Sequence, residues 1–281
     1  MTGGSRRARS PYGRYRREPV TKADSPTERS NAQIFRGAGY AARVRPWPGE
    51  PSIAHLVTVD QGSDVPSSLL RTWLNELRRM GYSHVRSGAL HASACRSYDA
   101  IGFVAVQSLA LLRAPLPPRF TSRTTQRAAS PTPRRTGDVH LRRGTDSELA
   151  RLAFLDRQAF QPGWGLDATS ISDAMNATPA HRLRVAVDES NDAPIGYTVA
   201  GRAGKSSFLQ RLAVNPAAQR RGVGSRLVVD AQVWARRWRA TTMTVNTQVD
   251  NLAALRLYEE CGFVLLTEQL TVMQRALDHD V

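Results

Sequence analysis

Between Leu209 and Arg226 the chain reads LQRLAVNPAAQRRGVGSR, and this run narrows the possible folds more than any other segment. An apolar stretch ends at Val214, Pro216 turns the backbone, and Gly222-Val223-Gly224 opens a segment whose Leu227, Ala231, Trp234 and Trp238 share one helical face. A strand that feeds a glycine-marked helix start is an α/β signature. The surrounding sequence agrees. Val139–Arg143 predicts a short strand, and Thr145 with Glu148 forms a capping box. Leu149, Leu152, Leu155 and Phe160 then give an apolar helix face that stops at Pro162-Gly163. A short helix is expected around 171–175, followed by strands at 183–187, 195–200 and 208–214. After the long helix come a strand at 242–245, a helix at 252–260, and two last strands at 263–266 and 270–273. The order predicts a mixed α/β fold with helices packed on a single sheet.

Part of this order recurs upstream. Strand patterns at 53–59, 85–90 and 104–112 alternate with helix patterns at 69–80 and 94–100. At an offset of 160 residues, ACRSYDAIGFV (94–104) and ALRLYEECGFV (254–264) agree at six of eleven positions, including Tyr98/Tyr258 and Gly102/Gly262. Glycine ends many helices, but six matches at one place in the element order favour an internal duplication. The stretch 114–138 holds five prolines and no apolar period, which marks a linker. Residues 1–36, rich in Arg, Ser and Pro, read as a tail. The expected organisation is therefore a tail at 1–36, a lobe at 37–113, a linker at 114–138 and a main domain at 139–281.

The net charge of +15 invites a nucleic-acid reading, but its location argues against one. The tail and the linker together carry +10 of it, whereas 139–281 holds seventeen basic and fifteen acidic residues. Only Lys22 and Lys205 are lysines, an arginine bias more typical of genome composition than of a binding surface. No apolar run approaches the roughly 18 residues of a membrane span. The two cysteines, Cys95 and Cys261, lack metal-ligand spacing and are too few for a disulfide framework. No metal is expected, and a reducing, cytoplasmic setting is the simplest reading.

The chemistry concentrates at Gln219-Arg220-Arg221-Gly222-Val223-Gly224. The first amides of a helix lack intrahelical acceptors and carry the positive end of its dipole. Glycines let a phosphate come close, and two arginines add charge-assisted bonds. The run has neither the Gly-Lys-Ser/Thr of a Walker loop nor the three glycines and later acid of a dinucleotide fingerprint.

V-x-P-x-x-Q-R-R-G-x-G resembles the acyl-CoA pyrophosphate motif of the GNAT acetyltransferase superfamily. Asn251, Ala254, Leu257-Tyr258-Glu259 and Gly262-Phe263 resemble its second motif, N-x-x-A-x-x-L-Y-E-x-x-G-F. The likeness covers 139–281 and, more faintly, 37–113. It implies a GNAT fold, with two GNAT-like lobes in tandem, and acetyl-CoA as cosubstrate. It further implies that the backbone of Leu212, Ala213 and Val214 holds the pantetheine arm, with the Val214 amide polarising the thioester carbonyl. Arg220, Arg221, Gly222, Val223, Gly224 and Ser225 would hold the pyrophosphate, and Asn251 the CoA arm. Tyr258 would protonate the departing thiolate after direct attack by a neutral primary amine, so that no Cys or Ser nucleophile is required. The acceptor would be a small molecule or a protein; a non-catalytic, CoA-binding regulatory module is the competing reading.

The sequence departs from the family in instructive places. In the branch that acetylates ribosomal-protein N-termini, a glutamate stands where this chain has Asn246. The strand at 208–214 carries no acid either, which leaves water or an acid such as Asp167 to take the proton. Phe160, Trp164 and Asp167 occupy the loop that shapes the acceptor pocket in the family. In the upstream copy, Ser63-Asp64-Val65-Pro66 replaces Arg221-Gly222-Val223-Gly224, so that lobe is expected to be degenerate and to support the other.

Overall fold

The computed structural model describes residues 32–59, 64–117, 139–188 and 192–277. The first part of the chain forms β1 (Gln33–Gly37), β2 (Tyr40–Trp47), β3 (Glu50–Thr58), α1 (Ser67–Arg79), β4 (His84–Ser87), α2 (Ala92–Asp99) and β5 (Val104–Pro115). The second forms β6 (Val139–Arg143), α3 (Leu149–Ala159), α4 (Ala168–Asn176), β7 (Ala180–Asp188), β8 (Pro194–Ala203) and β9 (Ser206–Val214). It ends with α5 (Val223–Arg237), β10 (Thr242–Gln248), α6 (Leu252–Glu260) and β11 (Val264–Ala276). The expected capping box is present, with the Thr145 amide donating to Glu148 at 3.0 Å ahead of α3.

All eleven strands join one sheet in the order β1-β2-β3-β4-β11-β5-β10-β9-β8-β7-β6. Two pairs are parallel, β3 with β4 and β9 with β10. The centre of the sheet is an exchange. β5, from the first lobe, lies between β10 and β11 of the second, pairing Leu112 with Val245 on one side and with Leu265 on the other. β11 reaches across to pair Gln274 with Arg86 on β4.

Side chains follow the strands. Ala110, Leu112, Ala114 and Leu116 enter the core of the second lobe with Val228, Trp234, Met243 and Tyr258. Met273 and Leu277 enter the core of the first, among Leu56, Leu70, Trp73 and Tyr98. Each lobe therefore completes the other's apolar interior, and burial of this kind is the main driving force for folding.

Three sequence expectations change. The two last strands are one, β11, which continues through a register shift between Leu265 and Gln269. Residues 33–36, assigned to the tail, form β1, which pairs with β2 through a turn at Ala38 and Gly39, both with left-handed backbone. The mostly exposed side chains of β1 leave no apolar alternation to read. β5 runs on to Pro115, into the expected linker, because Ala114 and Leu116 bury against α5 and β10. The remainder of the expected tail and linker lies outside the described residues, as does Ser63.

Candidate active site

β9 and β10 pair only from Ser206/Thr242 to Phe208/Thr244, after which the two parallel strands part. From Leu209 onward β9 is held by β8 alone. The Asn215 amide donates to the Ile195 carbonyl of β8 at 2.9 Å. By alternation Ala213 also faces β8, so the amides of Leu212 and Val214 face the open edge. The fork between the strands is lined by a strand edge with free donors.

The start of α5 closes one end of that fork. Arg220 and Gly222 both have left-handed backbone, with φ of 59° and 78°. Glycine adopts this conformation without strain, whereas an arginine held there is unusual. No side chain caps the helix, and its first bond runs from the Arg226 amide to the Gly222 carbonyl at 3.1 Å. The amides of Val223, Gly224 and Ser225 thus precede the helical ladder, at the positive end of its dipole. A Cβ on Gly224 would lie 3.1 Å from Leu257 Cδ2 and 3.9 Å from Val214 Cγ2, so glycine lets the helix start nestle between β9 and α6. Arg220 and Arg221 are exposed and form no ion pair among the described residues. These groups fit a diphosphate: free amides, a helix dipole, two unpaired guanidiniums and no carboxylate.

α6 forms the other wall. Asn251 caps it, its side-chain oxygen accepting from the Ala254 amide at 3.1 Å, which leaves the amide nitrogen for a ligand. Tyr258 is 6% exposed, packed against Phe263 at 5.7 Å between ring centroids. Its hydroxyl has no hydrogen-bond partner among the described residues. Burial pushes the phenol pKa well up, opposed by the positive charge of Arg211. Cys261 is a buried core residue, with burial holding its thiol at about 11, which keeps it protonated and non-nucleophilic.

On the opposite face of the sheet, the loop between α3 and α4 brings Phe160 and Trp164 together over β9. Trp164 packs on Leu109 and Leu111 of β5 and Leu270 and Val272 of β11, so the exchanged strands floor this side. Asn246 is exposed on β10 opposite Leu111. Asp167 is not gathered with them. It caps α4, accepting from the Ser170 amide at 2.7 Å, and its charge acts on Arg45 of the first lobe.

The centre of this side is a pair that sequence reasoning missed. Asp156, 0% exposed, accepts from the Leu166 amide (2.6 Å), the Tyr197 hydroxyl (2.5 Å), and Arg211 Nε (2.9 Å) and Nη2 (2.5 Å). Arg211 Nη2 also donates to the Trp164 carbonyl at 2.7 Å, and its guanidinium lies 3.5 Å from the centroid of the Phe160 ring. The signal was available: an acid beside Leu152 and Leu155 on a helix, and an arginine in the otherwise apolar end of a strand.

The first lobe approaches from the far side. The Trp47 ring nitrogen donates to the Gly163 carbonyl at 2.7 Å, and its ring meets Trp164 edge-on at 5.5 Å. Arg45 reaches Asp173 at 3.0 Å and Ser170 at 2.7 Å. In the copy of the anion loop, Asp64 faces Arg96 at 3.8 Å.

Comparison with known proteins agrees with this geometry. Residues 149–263 match the acetyltransferase (GNAT) family. The solved structures that resemble the chain include a tandem GNAT protein from the clavulanic acid biosynthesis pathway, at 11% identity and TM-score 0.61, covering 88% of this chain and 83% of that one. A GCN5-related N-acetyltransferase from Sphaerobacter thermophilus is similar at 12% identity and TM-score 0.57, covering 86% and 78%. One from Kribbella flavida shares 12% identity at TM-score 0.54, covering 86% and 89%. At these identities the likeness is one of fold. No curated protein matches the sequence. Residues 149–263 form a GNAT-family domain, and the described chain as a whole has the fold of a tandem GNAT protein. Among the described residues no helix is long and apolar enough to cross a membrane, and no cluster of His, Cys, Asp or Glu could hold a metal ion.

Proposed function

We propose that this protein is an N-acetyltransferase that moves an acetyl group from acetyl-CoA to a primary amine, with the second lobe as the catalytic one. The observation that carries the reading is the uncapped, glycine-bearing start of α5 at the fork of β9 and β10. The cosubstrate supplies an activated thioester; the chain's residues position it and handle protons. The amides of Val223, Gly224 and Ser225, with Arg220 and Arg221, hold the diphosphate. Leu212 and Val214 hold the pantetheine arm as an added strand, and Asn251 contacts it from α6. The Val214 amide stabilises negative charge on the carbonyl oxygen.

The amine nitrogen forms the new C–N bond as the C–S bond breaks. The Tyr258 hydroxyl gives its proton to the departing sulfur and regains one from solvent. A phenol is protonated at neutral pH at its ordinary pKa near 10, so the hydroxyl is available as a donor. The amine loses its proton to water, since Asn246 and the residues of β9 provide no carboxylate, and Asp167 is engaged at α4. The first lobe, without the arginines and glycines of the anion loop, supports the acceptor side through Trp47 and β5.

An assay of free thiol released from acetyl-CoA across a panel of amines tests the reading. Amine-dependent release supports it, whereas coenzyme A binding without transfer to any amine would favour a non-catalytic regulatory module.

A further inference from the structure

β9 carries a cation where its acceptor-facing side would be expected to offer a base. Arg211 is the only charged residue between Phe208 and Val214. It is held in place from three directions. Asp156 pairs with its Nε–Nη2 edge, the Trp164 carbonyl takes Nη2, and the Phe160 ring covers a face of the guanidinium. Asp156 cannot itself act as a base. Its four accepted bonds, including those from Tyr197 and Leu166, fill the acceptor sites of a carboxylate. Asp156 is therefore a positioning residue for Arg211.

What remains is the outward edge of Arg211. Nη1, turned away from Asp156, has no partner among the described residues, and the side chain keeps 14% of its surface open. Arg211 lies on β9 beyond its last pairing with β10, one residue before the Leu212 amide that faces the fork, and its charge acts on the Tyr258 phenol. A fixed cation at this point repels an ammonium group that has no anion of its own. An acceptor bearing a carboxylate gains a charge-assisted bond instead. The guanidinium also favours the neutral form of an amine brought close to it. That is the form that attacks, and it is obtained here without a basic side chain.

On the acetyl-transfer reading above, we propose that Arg211 binds a carboxylate carried by the acceptor near its amine, making amino acids and related amino carboxylates the substrate class. The test compares each of several amino acids with its carboxamide and its decarboxylated amine, using acetyl-CoA and thiol release. The carboxylate form is expected to have about a ten- to hundredfold higher kcat/KM, the size of one charge-assisted bond. In Arg211→Gln this preference should collapse, mainly through KM, and Arg211→Lys should restore part of it. The wild-type comparison stands even if a variant fails to fold. Equal rates for the three forms, or a preference for polyamines, would overturn the inference while leaving acetyl transfer intact. Absence of transfer to every amine would overturn the acetyl-transfer reading and this inference with it.

Discussion

Tyr258 and Tyr98 stand 160 residues apart at the same point of the same turn. Each accepts at its carbonyl the amide of a phenylalanine five residues on, Phe263 at 3.0 Å and Phe103 at 3.2 Å. Each packs against that ring, and Gly262 and Gly102 have φ of 83° and 84°. Their hydroxyls differ in surroundings. That of Tyr98 is buried without a partner, whereas the Tyr258 phenol, on the α6 wall of the fork, feels the positive charge of Arg211. Tyr258→Phe is expected to lower kcat about a hundredfold, as loss of a general acid does, with coenzyme A affinity retained. Tyr98→Phe should retain wild-type turnover and gain up to about 1 kcal/mol of stability, because a buried unpaired hydroxyl is removed. Steady-state kinetics and urea denaturation of the two variants would show the contrast.

Asp156→Asn leaves Arg211 without its counter-charge inside the protein. Breaking a buried pair from one side costs about 3–5 kcal/mol. Urea denaturation should register that loss, and a variant within about 0.5 kcal/mol of wild type would show that the pair is unimportant to the fold.

The exchange of β5 and β11 makes a further prediction about cooperativity. Leu112 belongs to the first lobe's chain but is 0% exposed in the second lobe's core. Leu112→Ala should cost about 2–5 kcal/mol. The described halves should unfold together, in one calorimetric transition both before and after the substitution; two separated transitions would contradict the shared core.

His55 gives the pH dependence a sign. Burial, and then the charges of Arg45 and Arg86, lower its pKa from 6.5 to about 3. The unfolded chain therefore takes up a proton below about 6.5 that the folded one refuses. Stability falls as pH drops from 6.5 toward 3 and is unaffected by this group above 6.5. His55→Gln should flatten that part of the stability profile measured by denaturation at successive pH values.

The α/β order of the second lobe, its capping box and the anion loop were legible because each rests on local pattern. Periodicity marks α5, proline and glycine mark the turn before it, and Thr145 with Glu148 declares a helix start. The β5–β11 exchange was not legible, since either strand's apolar residues suit either lobe, and only tertiary pairing decides between them. The Asp156–Arg211 pair was likewise hidden by distance: 55 residues separate the partners, and each alone reads as an ordinary charge. Asp167 misled for the opposite reason. Its position in the loop suggested chemistry, while its local geometry is that of a helix cap.

The central claim is that the start of α5 receives the diphosphate of coenzyme A, and titration calorimetry tests it most directly. Coenzyme A should bind the wild-type protein, and Arg220→Glu and Gly222→Asp should each weaken binding at least about tenfold in protein that still melts cooperatively, since a carboxylate would then oppose the phosphates. Undiminished affinity in both variants would contradict the account.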